Sequence, residues 1–75
     1  MNNFWIKASE KMPSEDGEYL IVINDDFNPY IELCDFTKED NRFSCYDYYN
    51  DTVFFYKQEN VSYWMKVPEY KNLEK

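Results

Sequence analysis

The stretch Glu18-Tyr19-Leu20-Ile21-Val22-Ile23-Asn24 decides the fold. Its five consecutive apolar residues are too few for a buried helix, and two-residue alternation places Tyr19, Ile21 and Ile23 on one face with Leu20 and Val22 on the other. Both faces are apolar, which is the pattern of a strand covered on two sides. Glu18 to Asn24 therefore reads as the central strand.

Outward from it, Ser14-Glu15-Asp16-Gly17 reads as a turn, because the chain's lone glycine is free to take positive φ. Phe4 to Lys7 forms a first strand. On the other side, Asn24 to Pro29 is a polar turn cluster, followed by an extended run from Tyr30 to Thr37. Lys38 to Asn41 turns the chain into a hairpin with Arg42 to Tyr48. Tyr49 to Thr52 separates that strand from Val53 to Tyr56. Val61 to Val67 alternates as the last strand, and Pro68 stops it.

The sum is a mainly β domain: a small antiparallel sheet of five to six short strands, curled or barrel-like, with at most a short helical turn. Seventy-five residues hold one such domain with a modest core, spanning 1–75, with 69–75 expected as a frayed tail or one helical turn begun by Pro68. Six Phe, eight Tyr and two Trp exceed what that core can enclose, so several rings, tyrosines above all, belong at the surface. No apolar run is long enough to span a bilayer, and no basic region followed by an apolar run opens the chain. The expectation is a cytoplasmic protein without a membrane partner. Cys34 and Cys45 have no zinc-ligand or CxxC spacing, and in that compartment they are expected as reduced core thiols. The hairpin nevertheless sets them on neighbouring strands at comparable depth, where a bridge is geometrically possible.

Charge is distributed unevenly. Ser9 to Asp51 holds twelve carboxylates against Lys11, Lys38 and Arg42, a net −9 within a chain of net −7. Such a field steers cationic surfaces in and repels phosphate, which argues against direct nucleic-acid binding. Carboxylates in turns, such as Glu15-Asp16, Asp25-Asp26 and Glu39-Asp40, are explained by solvation. From Asp35 to Asp51, however, acid and tyrosine are interleaved, and Asp35, Glu39, Asp40, Tyr46, Asp47, Tyr48, Tyr49 and Asp51 form the candidate partner-binding set.

Catalytic chemistry is sparse. Without histidine there is no Ser-His or Cys-His nucleophile system and no imidazole metal ligand. Neither cysteine has a Lys or Arg beside it in sequence to stabilise a thiolate. A calcium loop of alternating Asp and Asn with a Gly at the bend is missing, as is a glycine-rich phosphate cradle. The sequence predicts neither an enzyme, nor a cofactor, nor a metal site.

Two end segments carry a family pattern. Trp5-Ile6 with Pro13, Gly17 and the strand Tyr19 to Val22, and Val61-Ser62-Tyr63-Trp64-Met65 with Pro68, resemble domain-of-unknown-function family 551, small proteins of phages, prophages and bacteria. Tyr63 stands where the family usually has His, and Lys66 where it often has Pro. Within the chain itself, Trp5 and Trp64 lie on strands near opposite ends, so pairing of the terminal strands is expected to bring the two indoles together and seal the sheet.

Two functional classes follow. The first is a small acidic protein-binding protein, monomer or homodimer, docking on a basic surface such as a nucleic-acid-binding groove of a host nucleic-acid-processing or defence complex. The phage context of the resemblance implies an anti-defence inhibitor, of anti-CRISPR or anti-restriction kind. The alternative is a small-ligand protein sequestering a nucleotide-like molecule among its rings, for which Lys38, Arg42 and Lys57 are the available cationic contacts.

Overall fold

A computed structural model describes residues 4–24 and 28–68. Among the described residues six strands form one antiparallel sheet: β1 (Ile6–Lys7), β2 (Gly17–Ile23), β3 (Tyr30–Thr37), β4 (Arg42–Asp47), β5 (Thr52–Tyr56) and β6 (Val61–Lys66), with a single 3-10 turn at Gln58–Asn60. The order across the sheet is β1-β6-β2-β3-β4-β5, so β2 is interior, between β6 and β3. The expected β3 span matches the observed one, and the other boundaries differ by at most one residue except at β1, which starts two residues later than expected. The tail at 69–75 and positions 25–27 of the Asn24 to Pro29 turn lie outside the described residues.

The turns follow from local chemistry. Gly17 opens β2 with φ +156°, a conformation closed to most side chains. The hairpin turns at 38–41 and 48–51 each end on a left-handed residue, Asn41 (φ 54°) and Asp51 (φ 53°). Asn and Asp are the side-chain-bearing residues that best tolerate that region.

The sheet is curled, and its connectivity requires it. β5 and β6 are four strand spacings apart, about 19 Å on a flat sheet. Only residues 57–60 join them, three of these in the 3-10 turn, and such a link is too short to cross a flat sheet. The strands therefore roll toward one another without closing into a barrel.

Rolling gives the sheet a concave face that carries the core. Tyr19, Ile21 and Ile23 of β2, Cys34 and Phe36 of β3, Phe43 and Cys45 of β4, and Val61 and Trp64 of β6 are buried there with Ala8. Tyr19 stands edge-on to Phe36, Phe43 and Trp64, with centroids 6.1, 6.3 and 5.3 Å away, a favoured aromatic arrangement. The segment between β1 and β2 is pinned to the far end of the chain: Ala8 N–H donates to Ser62 O (3.0 Å), Gln58 Nε2 to Ala8 O (2.6 Å) and Trp64 Nε1 to Lys11 O (2.7 Å).

The convex face is open. Ile31, Leu33, Val53, Phe55 and Tyr63 are exposed on it, and Arg42 stacks its guanidinium 3.9 Å from the centre of the Phe55 ring. The surplus rings are thus at the surface as expected, but Phe4, Phe54 and Phe55 are among them as well as tyrosines.

Two expectations are corrected. The terminal strands do pair, with Ile6 opposite Trp64, but Trp5 is one residue out of that register. Alternation therefore points the two indoles to opposite faces, and they line separate hollows. The cysteines are joined as a disulfide, Cys34 to Cys45, with Cα atoms 4.9 Å apart. The β3–β4 register, Asp35 opposite Ser44 and Phe36 opposite Phe43, brings the two residues directly face to face.

Candidate functional site

The acidic aromatic stretch is divided by the fold. Glu39 and Asp40 sit in the β3–β4 turn, whereas Tyr48, Tyr49 and Asp51 sit in the β4–β5 turn at the opposite end of β4. Six strand residues separate the two turns, roughly 17 Å. Asp35 is paired with Ser44 on the convex face, away from both turns. Asp40 holds Arg42 at 3.9 Å, a solvent-exposed pair of little energetic weight. What the structure brings together is Tyr46, Asp47, Tyr48, Tyr49 and Asp51.

This tip is internally bonded. Asp47 Oδ1 accepts from the N–H of Tyr49 (3.0 Å) and of Asn50 (3.4 Å), and its Oδ2 accepts from Asn50 Nδ2 (2.7 Å). These bonds hold the Asp47 carboxyl below its ordinary pKa, the Asn50 side chain contributing most. The Tyr46 hydroxyl donates to Asp51, and the Tyr46 and Tyr48 rings meet edge-on at 4.6 Å. Both acids are thus employed in shaping the turn. The turn in consequence presents Tyr48 and Tyr49, 86% and 99% exposed.

Beside the tip, on the concave side, lies a feature the sequence reading missed. β3 pairs with β4 only over Asp35–Thr37 opposite Arg42–Ser44; beyond the disulfide the ladder ends, although both strands continue. A hollow of about 490 Å³ occupies this opening, lined by Tyr30 and Glu32 of β3, Cys45 to Asp47 of β4, Tyr48 and Tyr49, and Phe54 and Tyr56 of β5. Burial, a hydrogen bond with Tyr30, and the nearby Glu32 charge push the Tyr56 hydroxyl up to about 12. The available signal was register: once Cys34 faces Cys45, two-residue alternation puts Tyr30 and Glu32 on the same face as Asp47.

A second hollow, about 760 Å³, is lined by Phe4, Ile6, Tyr19, Trp64 and Met65 together with Lys11, Glu15 and Lys66. Lys66 is 3.8 Å from Glu15. Among the described residues no group of three or more Cys, Asp or Glu could hold a metal ion, and no helix is long and apolar enough to cross a membrane.

Residues 4–70 match the family described as protein of unknown function (DUF551). The chain belongs to this family. The match runs through the acidic middle as well as the two ends that carry the sequence resemblance. In this family member the two end segments meet in space, since Ile6 pairs with Trp64 and both line the larger hollow. No curated protein and no solved structure matches the chain.

Proposed function

We propose that this protein is a non-catalytic binding protein that docks its β4–β5 tip on a basic protein surface. The observation that carries the reading is the presentation of Tyr48 and Tyr49, almost wholly in solvent, on a turn already ordered by Asp47 and Asp51. Rigid tyrosines lose little entropy on docking and supply large amphipathic contact area. A net charge of −7 favours encounter with a cationic partner and disfavours nucleic acid. In its narrowest form the partner is the nucleic-acid-binding groove of a host defence complex, a version that draws on the phage setting of the family.

The test is affinity capture from a host lysate at low and high salt, with wild type and the double variant Tyr48→Ala/Tyr49→Ala. A basic nucleic-acid-processing protein retained by wild type, released by salt and lost with the variant is expected. Recovery of no such protein, or equal recovery by the variant, refutes the reading.

The larger hollow favours the second reading, sequestration of a small anionic aromatic ligand. There the cations beside the rings are Lys11 and Lys66. Of the expected contacts, Arg42 is engaged by Phe55 and Asp40 on the convex side, and neither Lys38 nor Lys57 lines this hollow. Native mass spectrometry of the purified protein tests it: a retained nucleotide-like mass, lost in Lys11→Ala/Lys66→Ala, is the expected result.

A further inference from the structure

We infer that the hollow between the splayed ends of β3 and β4 binds an organic cation of the alkylammonium or guanidinium class. The inference deepens the docking reading and rests on it for the partner, because the hollow adjoins the same tip.

Tyr30, Phe54 and Tyr56 supply aromatic walls, with Tyr30 and Phe54 both exposed toward solvent, so the site is open to a ligand. Aromatic faces attract weakly hydrated cations, most strongly when water is displaced from them. Glu32 and Asp47 bring two carboxylates to the same hollow, where continued strand pairing would have set them directly opposite one another. Like charges facing across a ladder are destabilising. Among the described residues the ion pairs are Arg42 with Asp40 and Lys66 with Glu15, so neither Glu32 nor Asp47 has a protein cation to balance it. Glu32 is half-buried among rings. Two acids with no paired cation among the described residues, Glu32 beside the rings and Asp47 bonded within its turn, give the aromatic cup a preference for positive charge.

The lining also selects among cations. A hard metal ion demands six or more oxygen ligands, and this cup offers mostly carbon. A phosphate or carboxylate ligand would meet only like charge. Burial and a hydrogen bond with Tyr30 raise the Tyr56 hydroxyl, and the acids of the cup are Glu32 and Asp47. An alkylated ammonium or a guanidinium, flat or rounded and poorly hydrated, meets both the rings and the acids. Such a group can come from a basic side chain of the docking partner or from a free amine.

The experiment is a solution NMR titration of the intact protein with three probes: choline, N-acetylarginine amide, and the uncharged tert-butyl isostere of choline. Saturable shifts of the Tyr30, Phe54 and Tyr56 ring signals are expected with a cation, at an affinity about tenfold or more above that for the isostere and weakened by about the same factor in Glu32→Gln. Equal response to the neutral isostere, or no saturable shift with either cation, overturns the inference, and the isostere comparison needs no variant to fold. A preference for the arginine probe assigns the site to a partner's side chain; a preference for choline assigns it to a free alkylammonium. Capture that survives Glu32→Gln while cation binding is lost separates this site from the docking surface. Failure of choline with capture intact ends this inference and leaves docking standing.

Discussion

Trp64 donates its indole N–H to the backbone carbonyl of Lys11 across 2.7 Å, tying the last strand to the segment that precedes β2. Trp64 is buried and also packs edge-on against Tyr19. Trp64→Phe keeps a ring but strands the Lys11 carbonyl, and should cost about 1 to 3 kcal/mol. Trp64→Ala adds a cavity and should cost about 3 to 5 kcal/mol, a large part of the stability of a small domain. Urea midpoints of the two variants against wild type measure both.

The Cys34–Cys45 bridge closes a loop of sequence separation 11 between facing strands. Chain-entropy arguments assign such a loop about 3 kcal/mol, acting on the unfolded state. Reduction should lower the urea midpoint accordingly, and Cys34→Ser/Cys45→Ser should show the reduced value with or without reductant. An unchanged midpoint on reduction would mean the bridge adds no stability.

Asp47 is held ionised by the turn it organises, with its pKa below the ordinary value. A depressed carboxylate stabilises the fold above its unfolded pKa, near 4, and the contribution is lost as pH falls through the lower folded value. Amide hydrogen exchange at Tyr49 and Asn50 should therefore be slowed relative to Asp47→Ala at neutral pH. Variant and wild type should converge in strong acid.

Tyr56 runs the other way. Its folded pKa is about 12 against an ordinary value of 10.0, so its contribution is complete below the unfolded value and declines as pH rises through the window between the two. Tyr19, raised in the same direction chiefly by burial, adds to the same alkaline loss. Ultraviolet titration of tyrosinate should show a late-ionising class that disappears in Tyr56→Phe only in part, since Tyr19 remains.

β5 is an edge strand whose sequence Thr52-Val53-Phe54-Phe55-Tyr56 carries no charge and no proline. Unprotected apolar edges promote association. Val53→Lys, at an exposed convex-face position, should leave stability within about 0.5 kcal/mol of wild type. It should also reduce concentration-dependent association in sedimentation velocity.

The apolar run Tyr19 to Ile23 marked the interior strand, although the expected cover on both faces is corrected: Tyr19, Ile21 and Ile23 are buried while Leu20 and Val22 are half-buried on the open convex side. The polar run Lys38 to Asn41 marked the first hairpin turn. The placement of Trp5 was not legible, because a one-residue difference in register reverses the face on which a side chain lies. The fold divides the stretch Asp35 to Asp51 for a related reason. Neighbours in sequence along a strand end up at opposite ends of a hairpin, so Glu39 and Asp40 are far from Tyr48 and Tyr49 while the distant Tyr30, Glu32 and Tyr56 are close. The disulfide was missed because a compartment was assumed where facing positions on adjacent strands were the stronger argument.

The short link at 57–60 has a kinetic meaning. β2 to β5 form a chain of hairpins between sequence neighbours, pairings that close small loops and arise early. β2 nevertheless waits for β6 on its other side, across nearly forty intervening residues, and β6 in turn recruits β1. Until residues 61–66 arrive, the Tyr19 face has no Trp64, and the segment at Ala8 to Lys11 lacks its bonds to Ser62 and Trp64. Completion of this domain should thus be a late, single event in which the first and last strands are fastened together, and a chain cut before Trp64 should collapse into hairpins without acquiring a fixed core.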